Sequence, residues 1–509
     1  MHTDTDVLII GTGFAGLGMA IRLLKSDMKQ FVVLEQADEV GGTWRDNHYP
    51  GVACDIPSHL YSFSFEPNPK WSRFFAPQRE IFDYMKHCAD KYGVRPYIRF
   101  NSEVVKAVFD EKRGEWNITV KNGDTYRTKA LVSGSGGLSR PSYPDIPGLD
   151  RFKGKKVHTA RWDHDYPLEG KRVAVIGTGA SSIQVVPSII DRVGHLTLFQ
   201  RTPPWVLPKP DFKIGKKQQA RLAKSPWLQR TFRNAIYWGL ESRALGFSGM
   251  VPGMQNSMER QARKHLEEQI SDPVLRAKLT PNYRFGCKRL LISNDYYRAL
   301  QQPNASVVTD GIKEIRANSI VTRDGQEHEV DVIVCATGFQ AAEAVAPFEL
   351  RGRNGADLNE VWRDGAEAYL GTAVAGFPNM FLLVGPNSGL GHNSMVHIIE
   401  SQINYVADSL KQLRERGAAW MDVKPSVQTA YNKKLVERLN KTVWATGGCV
   451  SWYQTKTGKN TTLWPGFTFE YRLRTRKFDA KNYEVHMPSA VQPLKPVSAP
   501  AELTAPPAE

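Results

Sequence analysis

The chain has 509 residues, 41% hydrophobic and 23% charged, a length that suggests two to four domains and a balance that excludes disorder for its bulk. No stretch approaches the roughly 18 consecutive apolar residues of a spanning helix, and a glycine motif at Gly11 stands where a signal peptide's apolar core would still run, so a cytoplasmic protein is expected. The net charge of +15 comes without a polybasic run, an RNP motif or a zinc-finger motif, which argues against nucleic acid as the partner.

The chain opens with Val7-Leu8-Ile9-Ile10, then Gly11-Thr12-Gly13-Phe14-Ala15-Gly16, a helical pattern to about Lys25, and Phe31-Val32-Val33-Leu34 ending on Glu35. That order is strand, tight turn, helix, strand, acid. Gly11 permits the turn, Gly13 lets the backbone approach a pyrophosphate, and Gly16 lets the helix pack closely on the strand. The helix start presents free N–H groups to phosphates, and Glu35 stands roughly 20 residues on, where a carboxylate accepts from ribose hydroxyls.

A second unit runs from Arg172-Val173-Ala174-Val175-Ile176 through Gly177-Thr178-Gly179-Ala180-Ser181-Ser182 to the strand His195–Phe199 and Gln200-Arg201-Thr202. Ser182 replaces the third glycine, and Arg201 stands where the first unit has its acid. A carboxylate there would repel a 2′-phosphate, whereas a guanidinium can grip it with two parallel hydrogen bonds. The first site is therefore expected to take FAD and the second NADPH.

Lys209 to Leu279 is basic, glutamine-rich and helix-favouring, and reads as a helical insertion within the second unit. Val330–Cys335 reads as a buried strand returning the chain to the first domain, and Met380–Val384 as a second return. The fold class expected is α/β, with two Rossmann-like dinucleotide-binding domains and a helical insertion. The expected division is a first FAD-binding part over 1–145, a first NADP-binding part over 146–208, the insertion over 209–280, an NADP-domain return over 281–334, and a second FAD-binding part over 335–487. A disordered Pro/Ala-rich tail is expected over 488–509. The five cysteines Cys54, Cys88, Cys287, Cys335 and Cys449 are scattered and form no CxxC pair, so neither a metal site nor a dithiol redox centre is expected. Each reads as a small buried hydrophobe.

Two longer motifs narrow the chemistry. Phe152-Lys-Gly154-Lys-Lys-Val-His158-Thr-Ala-Arg-Trp162-Asp163 resembles the fingerprint FxGxxxHxxxW(P/D) of the type I Baeyer–Villiger monooxygenases. The stretch from Gly41-Gly42-Thr43-Trp44 through Tyr49-Pro50-Gly51 to Asp55 is similar to that family's other motif. The resemblance spans about residues 5 to 480. It implies an FAD enzyme that uses NADPH and O₂ to form a C4a-peroxide, which attacks a ketone and yields an ester or lactone, with sulfoxidation as a compatible side activity. It also implies an active-site arginine preceded by a lysine near the 2′-phosphate, carried over to Arg289 and Lys288 in Phe285-Gly-Cys-Lys288-Arg289. Asp55 would then orient Arg289, and a permanent cation there favours an anionic oxygen nucleophile.

The resemblance further assigns Ala15, Gln36, Gly42, Thr43, Trp44, Asp55 and Tyr61 to the FAD site. Thr178, Gly179, Ala180, Ser181, Thr202 and Trp452 join Arg201, Lys288 and Arg289 at the NADP site, Trp452 as the tryptophan of a mobile loop. The residues after it, Gln454 to Thr462, depart from the proline-glycine-lysine pattern of the best-known ketone oxidisers, which leaves linear, cyclic and aryl ketones all open. His158 lies between the nucleotide units and is expected to be structural, and His392 and Asn393 are placed near the flavin, with a structural role an equally good reading of His392. Three rivals stay open at this point: a flavin monooxygenase that oxidises nitrogen or sulfur, an NADPH reductase or oxidase, and a redox-sensing FAD module. Oligomeric state is not legible.

Overall fold

A computed structural model describes residues 2–340, 347–455 and 457–488; apart from Pro488, the expected tail lies outside them. Strand β1 (His2–Ile10) leads into helix α1 (Phe14–Lys25) and strand β2 (Phe31–Leu34), and the two strands pair in parallel with Val7 opposite Phe31. The apolar, β-branched run Val7–Ile10 suits a strand covered on both faces. Gly11 turns the chain at φ +89°, and a Cβ on Gly16 would lie 1.9 Å from the Gly11 carbonyl oxygen. These two glycines thus allow the turn and the close seating of α1 on β1.

Strands β1 and β2 sit in an eight-stranded sheet with Ile98–Arg99 on one side and the antiparallel meander Val104–Asp110, Glu115–Val120, Thr125–Ser133 on the other. Later chain returns to this sheet as Glu349–Arg351 against Val104–Asp110, and as Met380–Leu382 against Thr125–Ser133. The helix Met395–Glu415 covers α1. Gly18 leaves the space for that contact, since a Cβ there would lie 2.8 Å from Ile403.

The second unit forms a separate parallel sheet. Strand β3 (Arg172–Ile176), helix α2 (Ser182–Ile189) and strand β4 (His195–Phe199) repeat the turn, with Gly177 at φ +110°. The strand order is Ala305–Val308, β4, β3, Val332–Cys335, Lys155–His158. Val332–Cys335 thus does not return the chain to the first sheet: it lies between β3 and Lys155–His158. An apolar run forecasts a buried strand but carries no information about which sheet accepts it.

Helices Lys216–Lys224, Pro226–Glu241, Ala244–Phe247, Pro252–Gln269 and Pro273–Leu279 fill the segment read as an insertion. The short parallel pair Val206–Leu207 and Leu291–Ile292 closes its base. The expectation of five separate buried thiols is corrected. Cys54, Cys88 and Cys335 are free and buried, but Cys287 and Cys449 form a disulfide across 162 residues.

Candidate active site

In the first unit Gly13 precedes α1 and offers no side-chain cap, so the first N–H groups of the helix are available to an anion. Gly13 and Gly42 face each other backbone to backbone, and a Cβ on Gly42 would lie 2.9 Å from the Gly13 Cα. This glycine-lined cradle at a helix start fits a dinucleotide pyrophosphate. Ala15 and Trp44 are buried, Thr43 is half-buried, and Gln36 stays exposed. The Trp44 Nε1 donates to the Tyr61 hydroxyl at 3.1 Å, and the rings meet edge to face.

Glu35 occupies the expected end of β2, but its carboxylate is already engaged. Oε2 accepts from the Thr12 N–H at 2.9 Å and the Thr12 hydroxyl at 2.5 Å, while Oε1 accepts from the Ala37 N–H at 3.0 Å and pairs with Arg45 at 3.1 Å. With about four lone-pair directions taken, Glu35 braces the glycine turn in this arrangement. Ribose hydroxyls can reach it only by displacing one of these partners, so the reading of Glu35 as a simple ribose acceptor is incomplete.

The second unit is open where the first is braced. Gly179 has nothing within 4 Å of a built Cβ, Gly179 and Ala180 are exposed, and Ser181, just before α2, makes no side-chain cap. The buried Ser182 hydroxyl has no hydrogen-bond partner. The Thr178 hydroxyl donates to the Thr202 carbonyl at 2.8 Å, which fixes the turn beside Arg201. Arg201 is exposed, and Lys288 lies half-buried with its ammonium over the Tyr283 ring at 5.0 Å. Burial lowers the Lys288 pKa, and the neighbouring Arg201 charge lowers it further. Among the described residues neither cation has an acidic partner within ion-pair distance. Two adjacent unneutralised cations fit a 2′-phosphate.

Between the units stands Arg289. Its Nε and Nη2 donate to Asp55 Oδ2 at 3.0 and 2.5 Å. Asp55 holds the guanidinium pKa above its ordinary value, against the opposing effect of burial. The buried Tyr453 hydroxyl lies beside this pair. Burial pushes it up to about 12, and the Arg289 charge acts against that rise. Lys209 adds a further cation nearby, its pKa lowered by burial against the supporting charges of Asp211 and Asp55. Trp452, half exposed, rests against Tyr453 with ring centroids 4.7 Å apart.

The motif ending in Asp55 is pinned to the second unit by contacts that sequence reasoning missed. The Tyr49 hydroxyl donates to Gln184 Oε1 at 2.8 Å, and Gln184 Nε2 donates to the Ala53 carbonyl at 3.0 Å. Gly51 lets α2 come close, because a Cβ there would lie 2.0 Å from the Ser188 hydroxyl. His158 fits the structural expectation. Its Nδ1 accepts from the Ala160 N–H, so Nε2 carries the proton shared with the Gly338 carbonyl, both at 3.1 Å. Burial pushes its pKa down to about 4, which leaves a neutral ring with both nitrogens occupied.

His392 and Asn393 both lie against Glu241 of the insertion. Glu241 is 1% exposed; it accepts from Asn393 Nδ2 at 2.6 Å and from the Thr468 hydroxyl at 2.7 Å, with His392 Nε2 at 3.5 Å. No sequence signal marks Glu241, a lone acid on a basic helix. Among the described residues no helix is long and apolar enough to cross a membrane, and no group of His, Cys, Asp and Glu could hold a metal ion.

Comparison with known proteins agrees with this geometry. Residues 8–225 match the pyridine nucleotide-disulphide oxidoreductase family. A Baeyer-Villiger monooxygenase of Pseudomonas aeruginosa is 50% identical over 94% of this chain and 91% of its own. One from Streptomyces coelicolor is 48% identical over 97% and 95%. The crystal structure of cyclohexanone monooxygenase from Rhodococcus sp. Phi1 bound to NADP⁺ superposes with a TM-score of 0.85 at 29% identity, covering 96% of this chain and all of that one. The chain belongs to the Baeyer–Villiger monooxygenases and uses FAD and NADPH.

Proposed function

We propose that this enzyme uses NADPH and O₂ to convert ketones to esters or lactones, with Arg289 as the catalytic cation and Asp55 as the residue that positions it. The observation that carries the assignment is the Arg289–Asp55 pair, placed where the two nucleotide units meet. Bound FAD would supply the oxygen-activating chemistry, with NADPH as the hydride donor. The chain's residues bind, orient and stabilise charge around it.

The cradle of Gly11, Gly13, Gly16 and Gly42, with Ala15, Glu35, Gln36, Thr43, Trp44 and Tyr61, holds FAD. The turn Gly177 to Ser182 holds the second pyrophosphate, and Arg201, Thr202 and Lys288 hold the 2′-phosphate. The division follows the two sheets, with FAD on the sheet of β1 and NADP on the sheet of β3. Arg289 stabilises negative charge that develops on oxygen during the reaction. At roughly 4 Å and an effective dielectric near 20 the Coulomb attraction is about 4 kcal/mol before desolvation is counted. Asp55 fixes the guanidinium through two hydrogen bonds and offsets its partial burial. Trp452 and Tyr453 cover this site from the loop side.

A nitrogen- or sulfur-oxidising enzyme has less need of an anion-stabilising arginine, so Arg289 favours ketone oxidation; sulfoxidation accompanies it as a side activity. A cytoplasmic location and freedom from nucleic acid belong to the same proposal. Turnover of Arg289→Ala with a ketone, NADPH and O₂ tests the assignment. Loss of ester with NADPH oxidation retained supports it, and an unchanged ester yield overturns it.

A further inference from the structure

The Cys287–Cys449 disulfide joins the segment that carries Arg289 to the one that carries Trp452 and Tyr453. Cys287 stands two positions before Arg289, and Cys449 stands shortly before Trp452 and Tyr453. The segments are fitted to each other around the bond. The Arg284 N–H donates to the Gly447 carbonyl at 3.1 Å. A Cβ on Gly447 would lie 2.6 Å from the Cys287 Cβ and 2.7 Å from its sulfur, so only glycine leaves room for the bridge. The 449–455 stretch is thus tied at one end by the disulfide and near the other by Tyr453 buried beside Arg289. Between these ties Trp452 is half exposed and Val450 is 80% exposed.

The two sulfurs differ in access. Cys287 is fully buried, whereas Cys449 is half-buried between exposed Gly448 and Val450. The bridge therefore meets solvent on the Cys449 side. Cys54, Cys88 and Cys335 are free and buried, so this bridge is the solvent-facing redox group among the cysteines.

We infer that Cys287–Cys449 is a thiol–disulfide exchange site for small thiols and protein dithiols, and that its oxidation state sets how firmly the Trp452–Tyr453 loop is held against Arg289. The effect on catalysis rests on the reading of Arg289 given above. In the exchange a thiolate attacks Cys449 Sγ, the Cys287–Cys449 bond breaks, and its electron pair leaves on Cys287 Sγ as thiolate. The second thiol of the dithiol attacks the mixed disulfide and releases Cys449. The dithiol ends oxidised to a disulfide, and its two protons end on the two cysteines. With the bridge gone, the loop keeps the Tyr453 contact but loses its covalent anchor, and closing it over NADP⁺ then requires ordering side chains that the bridge now holds.

The test uses the full-length holoenzyme, with dithiothreitol as reductant and oxidised glutathione to restore the bond. Maleimide labelling in denaturant counts thiols, hydrogen exchange reports on residues 447–455, and equilibrium titration gives the NADP⁺ affinity. Retained flavin absorbance confirms that the fold survives. The expected result is three thiols before reduction and five after, faster exchange in 447–455, and NADP⁺ bound about tenfold more weakly, the scale of re-ordering one or two side chains. Glutathione disulfide reverses all three changes. Cys449→Ser shows the weakened binding from the start and does not respond to dithiothreitol.

Five thiols in the unreduced enzyme would overturn the inference. So would a reduced enzyme with unchanged loop exchange and unchanged NADP⁺ affinity. Failure of the Arg289 assignment is separable. If Arg289→Ala still forms ester while reduction still loosens the loop, the exchange site stands and the catalytic role falls.

Discussion

Arg289 and Asp55 are 234 residues apart in the chain, yet both guanidinium hydrogen bonds of Arg289 converge on a single carboxylate oxygen of Asp55. The second oxygen is left free of this pair, and the motif that carries Asp55 is anchored through Tyr49, Gln184 and Gly51 to the second nucleotide unit. Asp55 thus ties Arg289 to a motif that is itself held against the second nucleotide unit. Arg289→Ala is expected to lower ester formation by about a hundredfold to a thousandfold, the cost of removing one preorganised charge donor. Asp55→Asn keeps the shape but removes the charge, so a smaller loss of roughly tenfold to a hundredfold is expected, with more hydrogen peroxide released per NADPH oxidised. Product yield and peroxide measured on the same samples distinguish the two roles. Equal losses would place Asp55 in the reaction itself.

The Arg201 charge acts on Lys288, and neither cation has an acid in ion-pair range among the described residues. Arg201→Ala should remove a charge-assisted contact worth about 1.5–3 kcal/mol. The kcat/KM for NADPH is then expected to fall roughly tenfold to a hundredfold, while that for NADH stays within about twofold. A parallel fall for both nucleotides would show that Arg201 does not read the 2′-phosphate.

Glu241 holds the insertion to the C-terminal part of the chain through Asn393, Thr468 and His392. Its pKa is lowered by these hydrogen bonds against the effect of burial, so it is a buried carboxylate. Glu241→Ala strands several buried donors and is expected to destabilise the fold by about 3 kcal/mol. Glu241→Gln retains an acceptor and should cost less. Urea unfolding followed by flavin release measures both; equal, small effects would remove Glu241 from the docking contact.

His158 gives a pH signature of defined sign. Its folded pKa is near 4 and its ordinary value 6.5, so between these values the unfolded chain binds a proton that the native ring refuses. Stability is full above pH 6.5 and falls as the pH drops toward 4, by about 3 kcal/mol at the bottom of the window. His59 and His397, also pushed down to about 4 by burial, act in the same direction. His158→Gln should flatten the slope by one proton's share without introducing a new limb in the pH–rate profile between 6 and 9. A lost limb there would make His158 a general base.

What was legible in the sequence is what local chemistry dictates. Gly11, Gly16, Gly177 and the β-branched strands before them fix a turn and a helix start within a few residues, so both nucleotide units could be read directly. Arg201 was legible for the same reason, because its place at the end of a strand follows from the turn. Long-range pairings were not. Cys287 and Cys449 lie 162 residues apart and in no recognisable spacing, and Glu241 is one acid on a basic helix. Val332–Cys335 showed itself as a strand, but only its partners on both sides assign it to the second sheet. Glu35 was located correctly, whereas the competition from Thr12, Ala37 and Arg45 for its oxygens arises only when the turn is folded.

The most direct test of the central claim is product analysis by mass spectrometry after turnover with NADPH and ¹⁸O₂. The substrates are a mixed panel of linear, cyclic and aryl ketones with a sulfide and a tertiary amine. The account predicts an ester or lactone carrying one labelled oxygen, with sulfoxide as a minor companion and its formation from ketones lost in Arg289→Ala. Labelled N- or S-oxides with no ester or lactone from any ketone would contradict it.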